Sequence, residues 1–439
     1  MIYYSTTVQL DPASKEVFAY FQPILAADTN RIYSYEVLGR YKDDDGSIKS
    51  LGNFFADKNT STQAALDIDR VVRKYALRKY AQEGRGEYLF INIRLEWIAR
   101  YGNRPEEIPT LKWAREFGIN PEKLVIEITE EEFNANREDY SDVLAYYKDA
   151  GCRIAIDDYG KSANNIERLA SVSPDIMKID IDYIHKSERS YHYREYLRAL
   201  AGFAESVGIE VLYEGIETPK QLDICMSSRG RYYQGFLFAR PQASIRDAEA
   251  DCSVFESASS RSVSALQTDA EHRNSGRGIW DNMVSGFLAK NTFTPEEAGI
   301  DDYFSRLCLY LPDNVIRVYV CDPRGYQISR NIERTAGGID RVPGYKQRNW
   351  AWRGYFRKAM TAFEMGNKSY LTVAYCDVTT KKRVYTYIYA LTPHMFLFID
   401  ILRIPHPDGI ENPYLPFWRT GPAGNSVEWT EHGPPANAV

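Results

Sequence analysis

The chain has 439 residues, which at roughly 150 residues per domain points to two or three domains. Lys and Arg number 54 against 60 Asp and Glu, a net charge of −6, and that balance speaks against a dedicated duplex-DNA binder with a basic surface. Apolar residues make up 44% and charged residues 26%, so the chain can bury a core of ordinary size and is not disordered as a whole.

No run approaches the ~18 apolar residues of a membrane span. The start, Met1-Ile2-Tyr3-Tyr4-Ser5, lacks the basic and apolar regions of a signal peptide. The 6 cysteines are scattered without C-x-x-C spacing, as expected of reduced thiols in a cytoplasmic protein.

From 18 to 240, short β-rich runs alternate with helical spacing. The runs are 19–26, 32–41, 88–93, 124–129, 153–158, 176–180, 210–215 and 232–238, and helices are predicted among others over 69–80, 141–150 and 194–207. Strands and helices alternating in this way predict a (β/α)₈ barrel, with a doubly wound open sheet as the competing architecture. After Pro241 the composition turns polar, and 243–275 reads as a connecting helix interrupted near Gly276 and Gly278. Strand-like runs at 315–321, 369–375, 384–391 and 395–401 then predict a small α+β domain on an antiparallel sheet. Asp322-Pro323-Arg324-Gly325 reads as a turn, Lys381-Lys382-Arg383 as a charged hairpin turn, and Asp43-Asp44-Asp45-Gly46 as a solvated turn rather than a calcium loop. The domains are therefore expected at 1–245, a helical linker at 246–298, a second domain at 299–415 and a loose tail at 416–439.

Polar residues recur at or near the C-terminal ends of the eight runs: Gln22, Glu36 and Arg40, Asn92, Glu127 and Glu130, Asp157 and Asp158, Lys178 and Asp180, Glu214 and Glu217, Gln234. In a parallel barrel these ends converge on one mouth, where barrel enzymes place their sites. A single such acid is most simply a helix cap or a rim ion pair, but acids at the ends of so many strands would be costly to bury without a purpose. Oxygen-only ligands select hard cations such as Mg²⁺, Mn²⁺ or Ca²⁺. Glu36, Asn92, Glu127 and Asp157 could hold one ion and Asp158 could begin a second site beside it. Two such ions clamp a phosphate and activate water for in-line displacement, with Lys178 steadying charge and Glu214 orienting the water or taking its proton. The reading is phosphoester hydrolysis.

Phe21-Gln22-Pro23-Ile24 followed by Glu36-Val37-Leu38-Gly39-Arg40 resembles the opening and the E-A-L-x-R signature of EAL-domain phosphodiesterases. The resemblance continues through Asn92, Glu127-Ile128-Thr129-Glu130, Asp157-Asp158-Tyr159-Gly160, Lys178-Ile179-Asp180, Tyr213-Glu214-Gly215-Ile216-Glu217 and Gln234-Gly235-Phe236-Leu237-Phe238-Ala239-Arg240-Pro241. Any one of these is weak, but in this order over 15–245 they are specific. The resemblance implies a bacterial protein with a modified TIM barrel that cuts cyclic di-GMP to linear pGpG using Mg²⁺ or Mn²⁺, with Ca²⁺ expected to bind and inhibit. It implies metal roles for Glu36, Asn92, Glu127, Asp157 and Asp158, catalytic roles for Lys178 and Glu214, support from Glu217 and a loop anchor in Glu130. Gln22, Leu38, Arg40, Gln234 and Pro241 match positions that contact the dinucleotide. A homodimer is expected by analogy.

The rest of the chain is similar to a YkuI-like arrangement, an EAL barrel followed by a PAS-like or Cache-like domain over about 250–410. Trp350, Trp352, Arg353 and Tyr355 could line a small-ligand pocket there, though aromatic packing of a helix on its sheet is the simpler reading. Two segments depart from the family pattern. The Asp pair continues Tyr159-Gly160-Lys161-Ser162 instead of Phe-Gly-Thr-Gly, and Arg94 replaces a serine. These departures keep a second reading in play, a cyclic di-GMP receptor that hydrolyses poorly.

Overall fold

The computed structural model describes residues 15–101, 104–130, 138–159, 169, 173–246, 248–292, 299–335, 337–403 and 414. The chain divides into two compact units, 1–263 and 264–439.

The first unit opens with a long hairpin of strands β1 (Val17–Ala26) and β2 (Arg31–Lys42), and a short β3 (Ile48–Ser50) continues from the Asp43–Gly46 turn. Strands β4 (Tyr88–Asn92), β5 (Leu124–Thr129), β6 (Arg153–Tyr159), β7 (Ile176–Ile179), β8 (Glu210–Tyr213) and β9 (Tyr232–Tyr233) follow in parallel from β2. β1 pairs antiparallel with both β9 and β2, which closes the sheet into an eight-strand barrel and excludes the open-sheet alternative. The reversed β1 also corrects one expectation: the strand carrying Gln22 does not point its C-terminal end at the common mouth, and Gln22 reaches it from mid-strand, directly opposite Glu36.

The parallel strands are covered on their outer face by helices, so they read as nearly continuous apolar runs, as in β5, where every residue but Thr129 is buried. The covering helices include Thr62–Glu83, Glu138–Asp149 and Tyr191–Ser206, the first started by Ser61, whose hydroxyl accepts from the Ala64 amide. Arg73, fully buried on the first of these, pairs with Asp69 one turn earlier and donates to Thr110 at 2.8 Å.

The barrel interior carries a separate apolar layer formed by Ile24, Ala26, Phe90, Val125, Ala155, Ile176, Leu212 and Tyr232. Below it, stacked Tyr33, Tyr88 and Tyr232 close the floor, with ring centroids 4.6 Å and 4.4 Å apart, and Arg153 ties them to Glu210 through the Tyr33 and Tyr232 hydroxyls. Side chains alternate along a strand with a period of two, so the residue two positions beyond each apolar interior residue also points inward. Those residues are Asn92, Glu127, Asp157, Lys178, Glu214 and Gln234, and on the reversed β1, counting back from Ile24, Gln22.

Helix Cys252–Lys290 begins in the first unit and ends in the second, and it runs unbroken through Gly276 and Gly278. Gly276 is needed for close approach rather than for a break: a Cβ there would stand 2.7 Å from the Tyr414 Cβ. The second unit adds helix Ile300–Tyr310 and an antiparallel sheet. Its strands are β10 (Val315–Cys321), β11 (Asn331–Thr335), β12 (Gly338–Val342), β13 (Ser369–Leu371), β14 (Tyr375–Cys376), β15 (Arg383–Thr392) and β16 (Met395–Leu402). Their order is β12-β11-β10-β16-β15-β13, with β14 on β15, and helix Gly354–Glu364 packs Phe356 and Ala359 against the sheet. Both predicted turns are present: Gly325 bonds back to Asp322 at 3.0 Å, and Lys381 bonds to Asp377 at 2.9 Å between β14 and β15.

Candidate active site

At the barrel mouth the strand register brings Lys178 into the middle of the acids. Its Nζ lies 2.9 Å from Asp157 Oδ1, 3.1 Å from Glu214 Oε2 and 3.5 Å from Glu36 Oε1, and it forms a further ion pair with Glu127. Lys178 and Glu127 are both fully buried and Glu36 is 7% exposed. Gln234 donates to Glu36 Oε2 at 2.6 Å, and the Asn92 amide donates to Glu127 Oε2 at 3.2 Å, which turns the Asn92 carbonyl oxygen away from that acid.

Consecutive residues on a flat strand point to opposite faces, so Asp157 and Asp158 could not share a site without a distortion. The β6–β7 register shifts between Ile156 and Tyr159, and Asp158 sits at φ 57°, with its amide bonded to Asp157 Oδ1 at 2.9 Å. This bulge re-aims the second acid. Oxygens of Asp157, Asp158 and Glu214 then lie within 4.8 Å of one another, a spacing that would let three donors share one ion.

The electrostatics follow from burial. Desolvation pushes the Glu127 and Glu214 carboxyls well above their ordinary range, Lys178 opposes this and neighbouring acids reinforce it. Burial also works against the Lys178 charge, but the surrounding carboxylates outweigh it and hold the ammonium well above its usual value. Among the described residues, Lys178 is the cation within ion-pair distance of these acids.

The remaining predicted residues fall into two groups. Leu38 and Arg40 line a cavity of about 290 Å³ together with Asn92, Arg94 and Trp97. Arg40 is half-buried over the Tyr20 ring, and burial lowers its guanidinium pKa. Gln22 donates to the Ala239 carbonyl at 3.2 Å, and Phe21 pairs with Gln242, so Pro241 is fixed beside β1. Glu130, 2% exposed, follows β5 directly, and burial, with Tyr196 and Glu130 adding to it, pushes the nearby Tyr159 hydroxyl up to about 12. Glu217 lies further out: its side chain is exposed and its amide donates to Gln221 in a helix-start motif. Asp180 caps helix Ile181–Arg189 through the Asp182 amide at 2.8 Å, so that strand-end acid has a structural task. The departure at Lys161 and Ser162 lies outside the described residues.

The contribution of Arg94 was not visible in the sequence. Two positions past Asn92, it lines the same cavity as Leu38 and Arg40, with its guanidinium over the Trp97 ring and 3.3 Å from the Phe55 carbonyl. The only sequence signal was its departure from the family serine, and the structure gives that departure a place: a second arginine in a cavity that Asn92 also lines.

Comparison with known proteins agrees with this geometry. The EAL domain model matches residues 6–241, and a model described as the EAL-domain associated signalling protein domain matches 281–404. The chain is 30% identical over 390 residues to the uncharacterized EAL-domain containing protein YkuI of Bacillus subtilis (strain 168), covering 88% of this chain and 94% of that one. The crystal structure of that Bacillus subtilis protein, in complex with substrate c-di-GMP and calcium, is similar with a TM-score of 0.77 at 29% identity, over 88% of this chain and 94% of the other. A probable cyclic di-GMP phosphodiesterase of Escherichia coli (strain K12), PdeB, is 26% identical over 235 residues, which cover 52% of this chain and 43% of that protein. A closed eight-strand barrel with acids gathered at its mouth, followed by the associated α+β domain, therefore places the chain in the EAL domain family of cyclic di-GMP-binding proteins and phosphodiesterases.

Proposed function

We propose that this chain binds cyclic di-GMP at the barrel mouth and hydrolyses it to pGpG with two divalent ions, Mg²⁺ or Mn²⁺, and that Ca²⁺ occupies the same site without supporting turnover. The observation that carries the reading is charge. Ionised, Glu36, Glu127, Asp157, Asp158 and Glu214 are five carboxylates against one ammonium, a surplus of four that two divalent cations would neutralise. Uncompensated buried charge of that size is costly. The donor set is all oxygen, which suits hard cations. Glu214 Oε1 is buried without a hydrogen-bond partner among the described residues, as an acceptor kept for a ligand or water would be.

Glu36, Asn92, Glu127, Asp157 and Asp158 would hold the ions. When bound, they supply Lewis-acid polarisation of the phosphate and a water of lowered pKa. The chain's own residues do the rest. Glu214, its proton affinity raised by burial, takes the proton of the attacking water. Lys178, fixed by its carboxylate partners, offsets charge that develops on the phosphate. One phosphorus–oxygen ester bond breaks as the water oxygen bonds to phosphorus, and the departing ribose oxygen takes up a proton from solvent, opening the ring. Gln22, Leu38, Arg40, Gln234 and Pro241 position the dinucleotide, with Arg94 as an added cation. Glu130 and Glu217 act through the loops around the acids.

The strand order β11-β10-β16-β15-β13 in the second unit supports a PAS-like reading of that domain, and regulation of the barrel and homodimer formation are assigned to it and to the barrel surface by analogy. Incubation of the full-length chain with cyclic di-GMP and Mn²⁺ tests the reading. Accumulation of pGpG that is lost in Glu36→Ala is expected. Tight nucleotide binding with no product would favour a receptor and overturn the enzyme.

A further inference from the structure

The second unit contains a cavity of about 700 Å³, within the usual ~300–1,000 Å³ of small-molecule sites. Four of its walls' side chains are cationic: Arg273 and Arg277, one turn apart on helix Cys252–Lys290, and Arg353 and Lys358 at the start of helix Gly354–Glu364. Among the described lining residues there is no Asp or Glu. We propose that this cavity binds a phosphorylated nucleotide.

Like charges gathered without acids repel, so such a pocket is poised for an anion. Arg273 reaches Asp269 only at 3.7 Å, and both side chains are partly exposed. Arg277, Arg353 and Lys358 form no ion pair among the described residues, and the Nε atoms of Arg277 and Arg353 are buried without a hydrogen-bond partner. The nearest buried acids are already taken, since Arg317 holds Asp400 at 2.9 Å and Asp377 at 3.5 Å. Arg353 is nevertheless fixed in place. Its guanidinium lies 4.8 Å from the Trp352 ring centroid and 5.7 Å from those of Tyr355 and Tyr375. A guanidinium fork held by aromatic rings and lacking an acid is preorganised for a phosphate. Arg353 is also the N-cap of an 11-residue helix that no side chain caps, so the helix start adds backbone donors and dipole to the same wall.

Size and composition choose among anions. A small di- or tricarboxylate would satisfy the charge but leave most of the volume unfilled. The aromatic lining, with Tyr370 beside the stacked Tyr355 and Tyr375, suits a base, so a nucleotide uses the cations and the rings together. The aromatic packing that the sequence suggested holds for Trp350, whose ring lies against Tyr319, but not for Trp352, which is exposed, whereas the neighbouring Arg353 and Tyr355 line the cavity.

The test titrates the full-length chain with ATP and GTP, with inorganic phosphate and citrate as controls. It is followed by calorimetry and by labelling of Cys376, an exposed thiol in the cavity wall. The expected result is one nucleotide bound per chain, slower labelling of Cys376, and affinity lowered about tenfold or more in Arg353→Ala and Arg277→Ala, as loss of a charged hydrogen bond predicts. The urea unfolding transition of the second unit should be unchanged in both variants, which reports that this unit is folded. The exposed Lys358→Ala gives the same reading, with a smaller loss, if an arginine variant fails to fold. The proposal is overturned if no nucleotide binds, if phosphate or citrate binds as tightly, or if the variants bind nucleotide as the parent chain does.

Discussion

Lys178→Met should destabilise the metal-free barrel strongly and the metal-loaded barrel much less. The ammonium is fully buried and lies 2.9, 3.1 and 3.5 Å from three carboxylates, with Glu127 as a fourth partner. At an effective dielectric of about 20, a pair near 3 Å is worth on the order of 5 kcal/mol before desolvation. Burying the ions takes back much of that, and removing one partner of a buried ion pair typically costs about 3–5 kcal/mol. At about 2 °C per kcal/mol for a unit of this size, the midpoint should fall by roughly 6–10 °C. Methionine keeps the volume, so the loss reports charge rather than a cavity. Thermal unfolding of the parent chain and the variant would be compared in EDTA and in saturating Mn²⁺, where the ions replace the missing positive charge and should recover most of the difference. A drop below about 1 kcal/mol in EDTA, the range of an exposed pair, or an equal drop with and without Mn²⁺, would refute the charge argument.

Further outcomes follow from single contacts. Mn²⁺ at about 100 times its dissociation constant should stabilise the parent chain by about 2.7 kcal/mol for each ion bound, and Asp157→Asn should lose most of that gain in the same melting assay. Gly235→Ala should cost about 3 kcal/mol or more by urea denaturation, because a Cβ there would stand 2.0 Å from the Ile216 carbonyl oxygen and backbone cannot yield as a side chain can. Arg317→Met should destabilise the second unit by about 3–5 kcal/mol at pH 8 and by less at pH 5. The sign follows from Asp400: burial raises its folded pKa despite Arg317, so the stability this carboxyl gives is present while it is protonated and is lost as pH rises above its unfolded value. Urea melts of the variant at the two pH values check this, and a cost independent of pH would contradict it.

The barrel was legible because most of its strands read as apolar runs with a polar residue near the C-terminal end, Gln22 and Glu36 being the mid-strand exceptions. Eight such runs leave few other architectures, and the helices over 62–83, 138–149 and 191–206 lie where apolar spacing places them. The site residues were legible through their residue types, and their period-two offset from the interior layer explains why Asn92, Glu127, Asp157, Lys178, Glu214 and Gln234 meet. Pattern alone could not supply four things. Strand direction is not written in composition, so the reversal of β1 was hidden. The bulge that lets adjacent Asp157 and Asp158 share one site, as the sequence reading expected, leaves no mark in the pattern. The glycines at 276 and 278 looked like helix breakers, although close contact with Tyr414 is what Gly276 serves. Arg94 looked like a loss against the family serine, yet it gains a place in the cavity wall.

The central claim is that this carboxylate cluster, once loaded with divalent ions, cuts cyclic di-GMP. The most direct measurement strips the full-length chain of metal and follows cyclic di-GMP turnover across a Mn²⁺ titration, with product identified by chromatography. No turnover without metal, pGpG appearing as Mn²⁺ is added, and a loss of at least about a hundredfold in Asp157→Asn are the predicted results. Cyclic di-GMP that binds across the whole titration without yielding pGpG would contradict the account.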